Sequence, residues 1–131
     1  MTEGATTLRA QISALLATEL NRWGRGDLPF RLCLSDRAWR DTMVAVGCPS
    51  YRARLASPTA RRGTRGNLGM ATICHRRHGH DAVVYIKTRG RGWEAIADTV
   101  RHEALHLARP SYSHRQVAAT LRKRRKDGTE A

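Results

Sequence analysis

Apolar positions near the start of the chain recur at helical spacing and predict a helix over residues 6–23. The stripe consists of Leu8, Ile12, Leu15, Leu16 and Leu20. These positions share one face of a helix with 3.6 residues per turn. The glycines in the segment 24–27 then end the helix and turn the chain.

Shorter stretches of alternating character follow and predict a small sheet. Residues 30–35 alternate like a half-buried strand, and Ser35 is a suitable N-cap for a short helix that carries Trp39, Met43 and Val46 on one face. Further along, the runs 68–75 and 82–88 favour strands, and the turn between them indicates a β-hairpin.

The last third of the chain predicts two helices separated by a sharp turn. Apolar positions at helical spacing begin at Trp93 and continue to Leu107, and Pro110 cannot continue a helix. Ser113 and Gln116 have the spacing of a capping box, which places the start of a last helix there. We expect the basic tail 122–131 to fray. The length of 131 residues fits a single domain over residues 1–131.

Charge adds an expectation about partners. The chain has 24 Lys and Arg against 11 Asp and Glu, a net charge of +13. Such an excess favours polyanionic partners, above all nucleic acid, although a solvated basic surface is the alternative. Aromatic residues make up 5% of the chain, which leaves few side chains for stacking on bases. Contact with the phosphate backbone, without sequence specificity, is therefore the expected mode.

Composition also bears on the compartment. No apolar run approaches the roughly 18 residues that a membrane span needs, and the N-terminus lacks the pattern of a signal peptide. The three cysteines are odd in number and form no C-x-x-C pair, so neither a disulfide framework nor a zinc ribbon is indicated. We expect a cytoplasmic protein with no membrane partner.

The motif His102-Glu103-Ala104-Leu105-His106 is H-E-x-x-H within the predicted long helix. Helical neighbours four apart share a face, so both imidazoles can reach one ion. The pattern is typical of zinc peptidases, in which the two histidines bind zinc and the glutamate is the general base for water. The sequence therefore predicts Zn²⁺ as cofactor and Glu103 as the catalytic residue.

A catalytic zinc site needs a third protein ligand and one open position. His114 is the best candidate, because Pro110 ends one helix and the next begins close to His114, which lets the second helix fold back on the first. A longer motif with a further histidine six residues after His106 does not fit, since Tyr112 stands there. Asp98 and Glu94 lie about one and two turns before His102, and Asp98 stays open as an acceptor that orients an imidazole.

These residues resemble a known family, the SprT-like zinc metalloproteases of the Spartan type and the small minigluzincins. The resemblance lies in residues 20–29, in Asn67-Leu68-Gly69-Met70 at the start of the hairpin, and in the helix 96–106 with its H-E-x-x-H motif. It implies an α+β fold with an N-terminal helix, a small sheet of three to four strands with a hairpin, an active-site helix and a C-terminal packing helix. It also implies His102, His106 and His114 as zinc ligands and Glu103 as catalytic base.

Spartan-type proteases cleave proteins on DNA, and two basic segments of this chain suit that activity. The predicted nucleic-acid-binding residues are Arg61, Arg62 and Arg65 in a loop, and Arg122, Lys123, Arg124 and Arg125 near the C-terminus. The resemblance thus implies a zinc endopeptidase with protein substrates near nucleic acid. We expect a substrate peptide to add as a strand to the free edge of the hairpin, at residues 82–88.

Two other functions stay open from the sequence. One is a non-enzymatic, basic nucleic-acid-binding protein with or without a structural zinc. The other is a processing or toxin-like peptidase of a mobile element, with no role at nucleic acid. Metal content separates a zinc enzyme from a binder without zinc.

Overall fold

The computed structural model describes residues 7–46, 64–76 and 79–126. Within these ranges four helices and three strands follow in the order α1 (Leu8–Arg22), β1 (Phe30–Cys33), α2 (Asp36–Val46), β2 (Gly69–Arg76), β3 (Gly79–Ile86), α3 (Trp93–Ala108) and α4 (His114–Lys126). The predicted α+β fold is confirmed.

The three strands form a mixed sheet in the order β1-β3-β2. β1 pairs parallel with β3, and β2 pairs antiparallel with β3, which confirms the predicted hairpin. β3 begins three residues earlier than the predicted strand, so the connection between the hairpin strands is shorter than expected. Residues 77–78 of that connection lie outside the described residues.

The predicted free edge at residues 82–88 is wrong, because β3 is the central strand. β1, which comes about 50 residues earlier in the chain, occupies the side of β3 that the hairpin alone would leave open. Residues Ala82–Ile86 are all buried, as expected for a strand that is covered on both faces. Among the described residues, the hairpin's open edge therefore belongs to β2.

Helices cover both faces of the sheet and give two hydrophobic clusters. Ala82, Val84 and Ile86 of β3 pack with buried residues of α1 and α3. Val83 and Tyr85 point to the opposite face and pack with α2. In this arrangement α3 packs on the sheet against β3 and β2, and β2 is the edge strand.

Local hydrogen bonds define the helix starts. In α1 the hydroxyl of Thr7 accepts from the backbone N–H of Ala10 at 3.1 Å. In α2 Ser35 accepts from the N–H of Ala38 at 3.1 Å, as predicted. The predicted buried face of α2 is also confirmed at Trp39, Met43 and Val46.

The basic loop is described only at its end. Thr64 is buried, and its N–H and hydroxyl donate to Oδ1 of Asp36 at 2.7 and 3.0 Å. Residues 47–63, with the predicted Arg61 and Arg62, lie outside the described residues. Arg65 lies in the turn that follows Thr64 and is exposed.

The C-terminal helix differs from expectation, because α4 continues to Lys126 rather than fraying from residue 122, and residues 127–131 of the predicted frayed tail lie outside the described residues. Arg124 is buried on this helix and donates two hydrogen bonds to the carboxylate of Glu19 in α1, at 2.6 and 3.1 Å. Within the described ranges, no helix has the length and apolar character needed to cross a membrane.

Candidate metal centre

The site is built on the turn between α3 and α4. α3 ends at Ala108, and the N–H of Arg109 still donates to the carbonyl of Leu105 at 2.8 Å. The predicted capping box is confirmed at the next helix. Ser113 Oγ accepts from the N–H of Gln116 at 3.2 Å, and Gln116 Oε1 accepts from the N–H of Ser113 at 2.7 Å. These two bonds set where α4 begins and place His114 in its first turn.

Three imidazoles converge at this turn, as the sequence predicts. Nε2 of His102 lies 3.0 Å from Nε2 of His106. Nδ1 of His114 lies 3.2 Å from each of these two nitrogens. The two rings of α3 share a helical face, and the turn carries the third ring onto that face.

The three nitrogens fit the requirements of a metal ion. Ligand atoms about 2.0–2.1 Å from a tetrahedral zinc are roughly 3.3 Å apart, close to the separations found here. Binding also requires neutral imidazoles. Burial, with the neighbouring charges of His102 and His114, lowers the pKa of His106 to about 4. Burial and the charge of His114 also lower the pKa of His102. These three histidines therefore lie close enough to hold a metal ion.

Glu103 lies beside the three histidines but is not one of the converging groups. Its side chain is 6% exposed, and burial raises the pKa of its carboxyl to about 7. A carboxyl with a pKa near neutrality can accept a proton and release it again at physiological pH. This property suits the predicted general base.

Two grooves meet at Glu103 and His114. One has a volume of about 590 Å³ and runs along β2 from Gly69 to Ile73, opposite Leu107 of α3. The other has a volume of about 490 Å³ and lies between Leu68 and the first turns of α3. Both grooves are also lined by Asn67 and Gly69, so the cleft is open on two sides of the histidine cluster.

The backbone of β2 presents hydrogen-bonding groups toward this cleft. The N–H of Lys87 donates to the carbonyl of Leu68 at 2.8 Å, and the register pairs Gly69 with Ile86. In an antiparallel pair, bonded and non-bonded residue pairs alternate. Even-numbered residues of β2 therefore bond to β3, whereas Gly69, Ala71 and Ile73 direct their N–H and C=O groups to the open edge.

Asp98, which the sequence left open as a partner of an imidazole, is engaged elsewhere. Its carboxylate accepts from Arg101 at 3.2 Å and from Arg125 of α4 at 3.3 Å. Glu94 is exposed in the first turn of α3, where a carboxylate suits the helix dipole.

The predicted basic residues separate into different environments. Arg65, Arg122, Lys123 and Arg125 are exposed. Arg124 is 7% exposed and lies in the ion pair with Glu19, so its guanidinium is withdrawn from the surface in which it was predicted to act. The remaining cations of α4 lie on the helix that also carries His114.

The sequence interpretation missed the role of β2 as a wall of the cleft. Gly69 was noted only for its family resemblance, yet a methyl group there would lie 2.6 Å from Cγ2 of Thr99. The apolar run 82–86 does indicate this arrangement, because a strand without alternation is typically buried on both faces and central in its sheet. Its hairpin partner, β2, is then the edge strand.

No protein-family model, no curated protein and no solved structure matches this chain.

Proposed function

We propose that the protein is a zinc-dependent endopeptidase. The convergence of three imidazole nitrogens within 3.2 Å of one another, beside a buried glutamate in an open cleft, carries this proposal. Three histidines with an open position are a common ligand set of catalytic zinc. The resemblance of the H-E-x-x-H helix to SprT-like proteases supports the same activity.

Zinc, when bound, would activate a water molecule and polarise the scissile carbonyl. Glu103 accepts the proton that the attacking water loses, and it returns that proton to the amine that leaves. In the metal-free site burial raises the pKa of this carboxyl to about 7, and a carboxyl that is more basic than usual accepts a proton more readily. The burial that raises this pKa also keeps the carboxyl out of bulk water.

The peptide substrate lies along β2 as an added strand. Backbone groups of Gly69, Ala71 and Ile73 face the open edge and hold an extended chain through main-chain hydrogen bonds. This mode gives affinity without strong dependence on side chains. It positions a peptide carbonyl next to Glu103, where the two grooves meet.

A structural zinc in a non-enzymatic binding protein is the competing function. Such sites are closed by four protein ligands. Among the described residues the cluster has three histidines, and two grooves open beside it. The open position favours catalysis over a structural role.

Nucleic acid remains a proposed partner. The net charge of +13 and the exposed Arg122, Lys123 and Arg125 support backbone contact without sequence specificity. Proteins bound to nucleic acid would then be the substrates of the cleft that His114 lines.

The test is proteolysis by the zinc-loaded protein and by its Glu103→Gln variant, with and without DNA. Wild type should cleave an unfolded protein, whereas Glu103→Gln should lose at least about 100-fold in rate, the order expected for loss of a general base, while it keeps its zinc. Absence of cleavage by the zinc-loaded wild type under both conditions would overturn the proposal.

A further inference from the structure

We infer that Glu19 and Arg124 are positioning residues for the metal centre: their buried ion pair holds α4 so that His114 reaches the other two histidines. This inference rests on the proposed metal site but does not require proteolysis. It assigns a role to two charged side chains that the H-E-x-x-H motif does not include.

The first observation is how α4 is attached to the rest of the protein. Two of its residues are buried, Val117 and Arg124. Val117 is fully buried, and Arg124 lies two turns further along. His114, Val117, Leu121 and Arg124 follow at spacings of three, four and three, so they share one helical face. The face that docks α4 is therefore the face that carries the metal ligand.

The second observation is the quality of the ion pair. Both nitrogens Nη1 and Nη2 of Arg124 donate to the carboxylate of Glu19, at 2.6 and 3.1 Å. The side chains are 7% and 2% exposed. The guanidinium also lies 5.6 Å from the centre of the Trp23 ring, within the range of a cation–π contact. A paired and stacked arginine of this kind holds one position and one orientation.

The third observation is the distance along α4 between the ion pair and the metal ligand. Arg124 is ten residues after His114, about 15 Å along the helix axis. Contacts at both ends of a rigid helix fix its direction more firmly than contacts near one end, so the ion pair limits how far α4 can pivot. Because the ring nitrogen of His114 must stay about 2 Å from an ion, a pivot of α4 would remove the third ligand.

The chain offers a matched control on the same helix. Arg125 donates to Asp98 of α3 at 3.3 Å, but these side chains are 59% and 57% exposed. Such an exposed pair contributes little to helix docking. Arg124→Met and Arg125→Met therefore remove the same charge from neighbouring positions, and only the first removes both hydrogen bonds to the buried carboxylate of Glu19, which then keeps the Nε of Arg22 at 3.9 Å.

The experiment is zinc affinity, measured by competition with a chromophoric chelator on the full chain. Arg124→Met should weaken zinc binding by roughly 10–100-fold, the range seen for residues that orient metal ligands, and Arg125→Met should change it less than about twofold. The double variant Glu19→Leu/Arg124→Met should recover most of the affinity, because an apolar pair of similar volume can replace a buried ion pair. Circular dichroism checks that each variant is folded. If Arg124→Met alone does not fold, the zinc affinity of the double variant still tests the inference.

A double-mutant cycle with His114→Ala separates the positioning role from general destabilisation. If the pair acts through His114, Arg124→Met should have no further effect on zinc affinity when His114 is already alanine. Additive losses in that background would overturn the inference, as would equal effects of Arg124→Met and Arg125→Met. If His114→Ala binds zinc as tightly as wild type does, that result would instead contradict the proposed metal site itself.

Discussion

Gly69 of β2 packs so closely on Glu103 of α3 that a methyl group at Gly69 would lie 2.8 Å from Oε2 of the carboxylate. The strand that forms the proposed substrate edge thus contacts the proposed general base directly. A side chain at Gly69 has nowhere to go, because Thr99 lies on the same surface of α3, at 2.6 Å. Glycine lets the edge strand approach the helix and fixes one side of the Glu103 carboxyl group.

Gly69→Ala should therefore lower proteolytic kcat/KM by at least about tenfold with zinc affinity unchanged, and overpacking should cost about 1–3 kcal/mol of stability. Enzyme kinetics and urea unfolding measure the two effects. Thr99→Ser, which removes the methyl group nearest to the new side chain, should restore part of the stability when combined with Gly69→Ala. Gly92→Ala is the control, because its new methyl group meets nothing within 4 Å. Equal losses in the two alanine variants would contradict the packing argument.

Burial of Glu103 gives a prediction for stability against pH. Its folded pKa of about 7 lies above the ordinary value of 4.5, so the folded chain retains a proton that the unfolded chain releases between these values. The group's contribution is thus fully present below about pH 4.5 and is lost as the pH rises through 7. Metal-free Glu103→Gln should be more stable than metal-free wild type at pH 8, by an amount on the order of 3 kcal/mol, and no more stable at pH 4.5.

Urea unfolding in the presence of a chelator at pH 4.5, 6 and 8 measures this difference. Glu94→Gln is the matched control, since that glutamate is on the same helix and its carboxylate stays in water. A stability gain in Glu103→Gln that does not change with pH would show that the effect comes from packing and not from the buried charge.

The open edge of β2 predicts how the peptide is held. Ala71→Pro removes one outward N–H, a change that an edge strand tolerates because this N–H does not bond to β3. Loss of one hydrogen bond should raise KM for a protein substrate by roughly tenfold with zinc affinity unchanged. Ala71→Ser retains the N–H and should behave like wild type in the same steady-state assay. If the proline variant has wild-type KM, the peptide does not bind along β2.

The exposed cations of α4 predict the salt dependence of DNA binding. Replacing Arg122, Lys123 and Arg125 with glutamine should reduce the slope of log affinity against log salt by about 0.9 for each phosphate contact that is lost. Fluorescence anisotropy with duplex DNA at several salt concentrations measures the slope. A charge-matched control replaces Arg37, Lys87 and Arg89, which are exposed cations outside α4. Equal reductions in both variants would indicate diffuse attraction without a binding surface on α4.

Much of the metal centre could be predicted from the sequence because its determinants are local. The helical spacing of His102 and His106, the stop at Pro110 and the capping box at Ser113 lie within a few residues of one another. Each acts through backbone geometry that neighbouring residues impose. The convergence of the third histidine follows from these local rules.

The pairing of strands could not be predicted in the same way. β1 pairs in parallel with β3, although the two strands are far apart in the sequence. Neither strand's sequence indicates which other strand it pairs with. The free edge of the hairpin was therefore expected at β3, whereas among the described residues it belongs to β2. Trp93 was also expected on the apolar face of α3, but it is 41% exposed.

The buried ion pair of Glu19 and Arg124 could be predicted only in part from the sequence. Arg124 lies within a basic run, where nothing distinguishes it from its exposed neighbours. Glu19, however, falls seven residues after Ile12 and three after Leu16, on the buried stripe of α1. A carboxylate on an apolar stripe indicates a buried partner, although the sequence does not say which cation 105 residues away supplies it.

The central claim is that His102, His106 and His114 hold one zinc ion, and elemental analysis of the purified protein tests it most directly. The account predicts one zinc per chain in wild type and in Glu103→Gln, and a loss of zinc in His114→Ala after dialysis against a weak chelator. Wild type without stoichiometric zinc after zinc reconstitution, or His114→Ala that retains zinc as firmly as wild type, would contradict it.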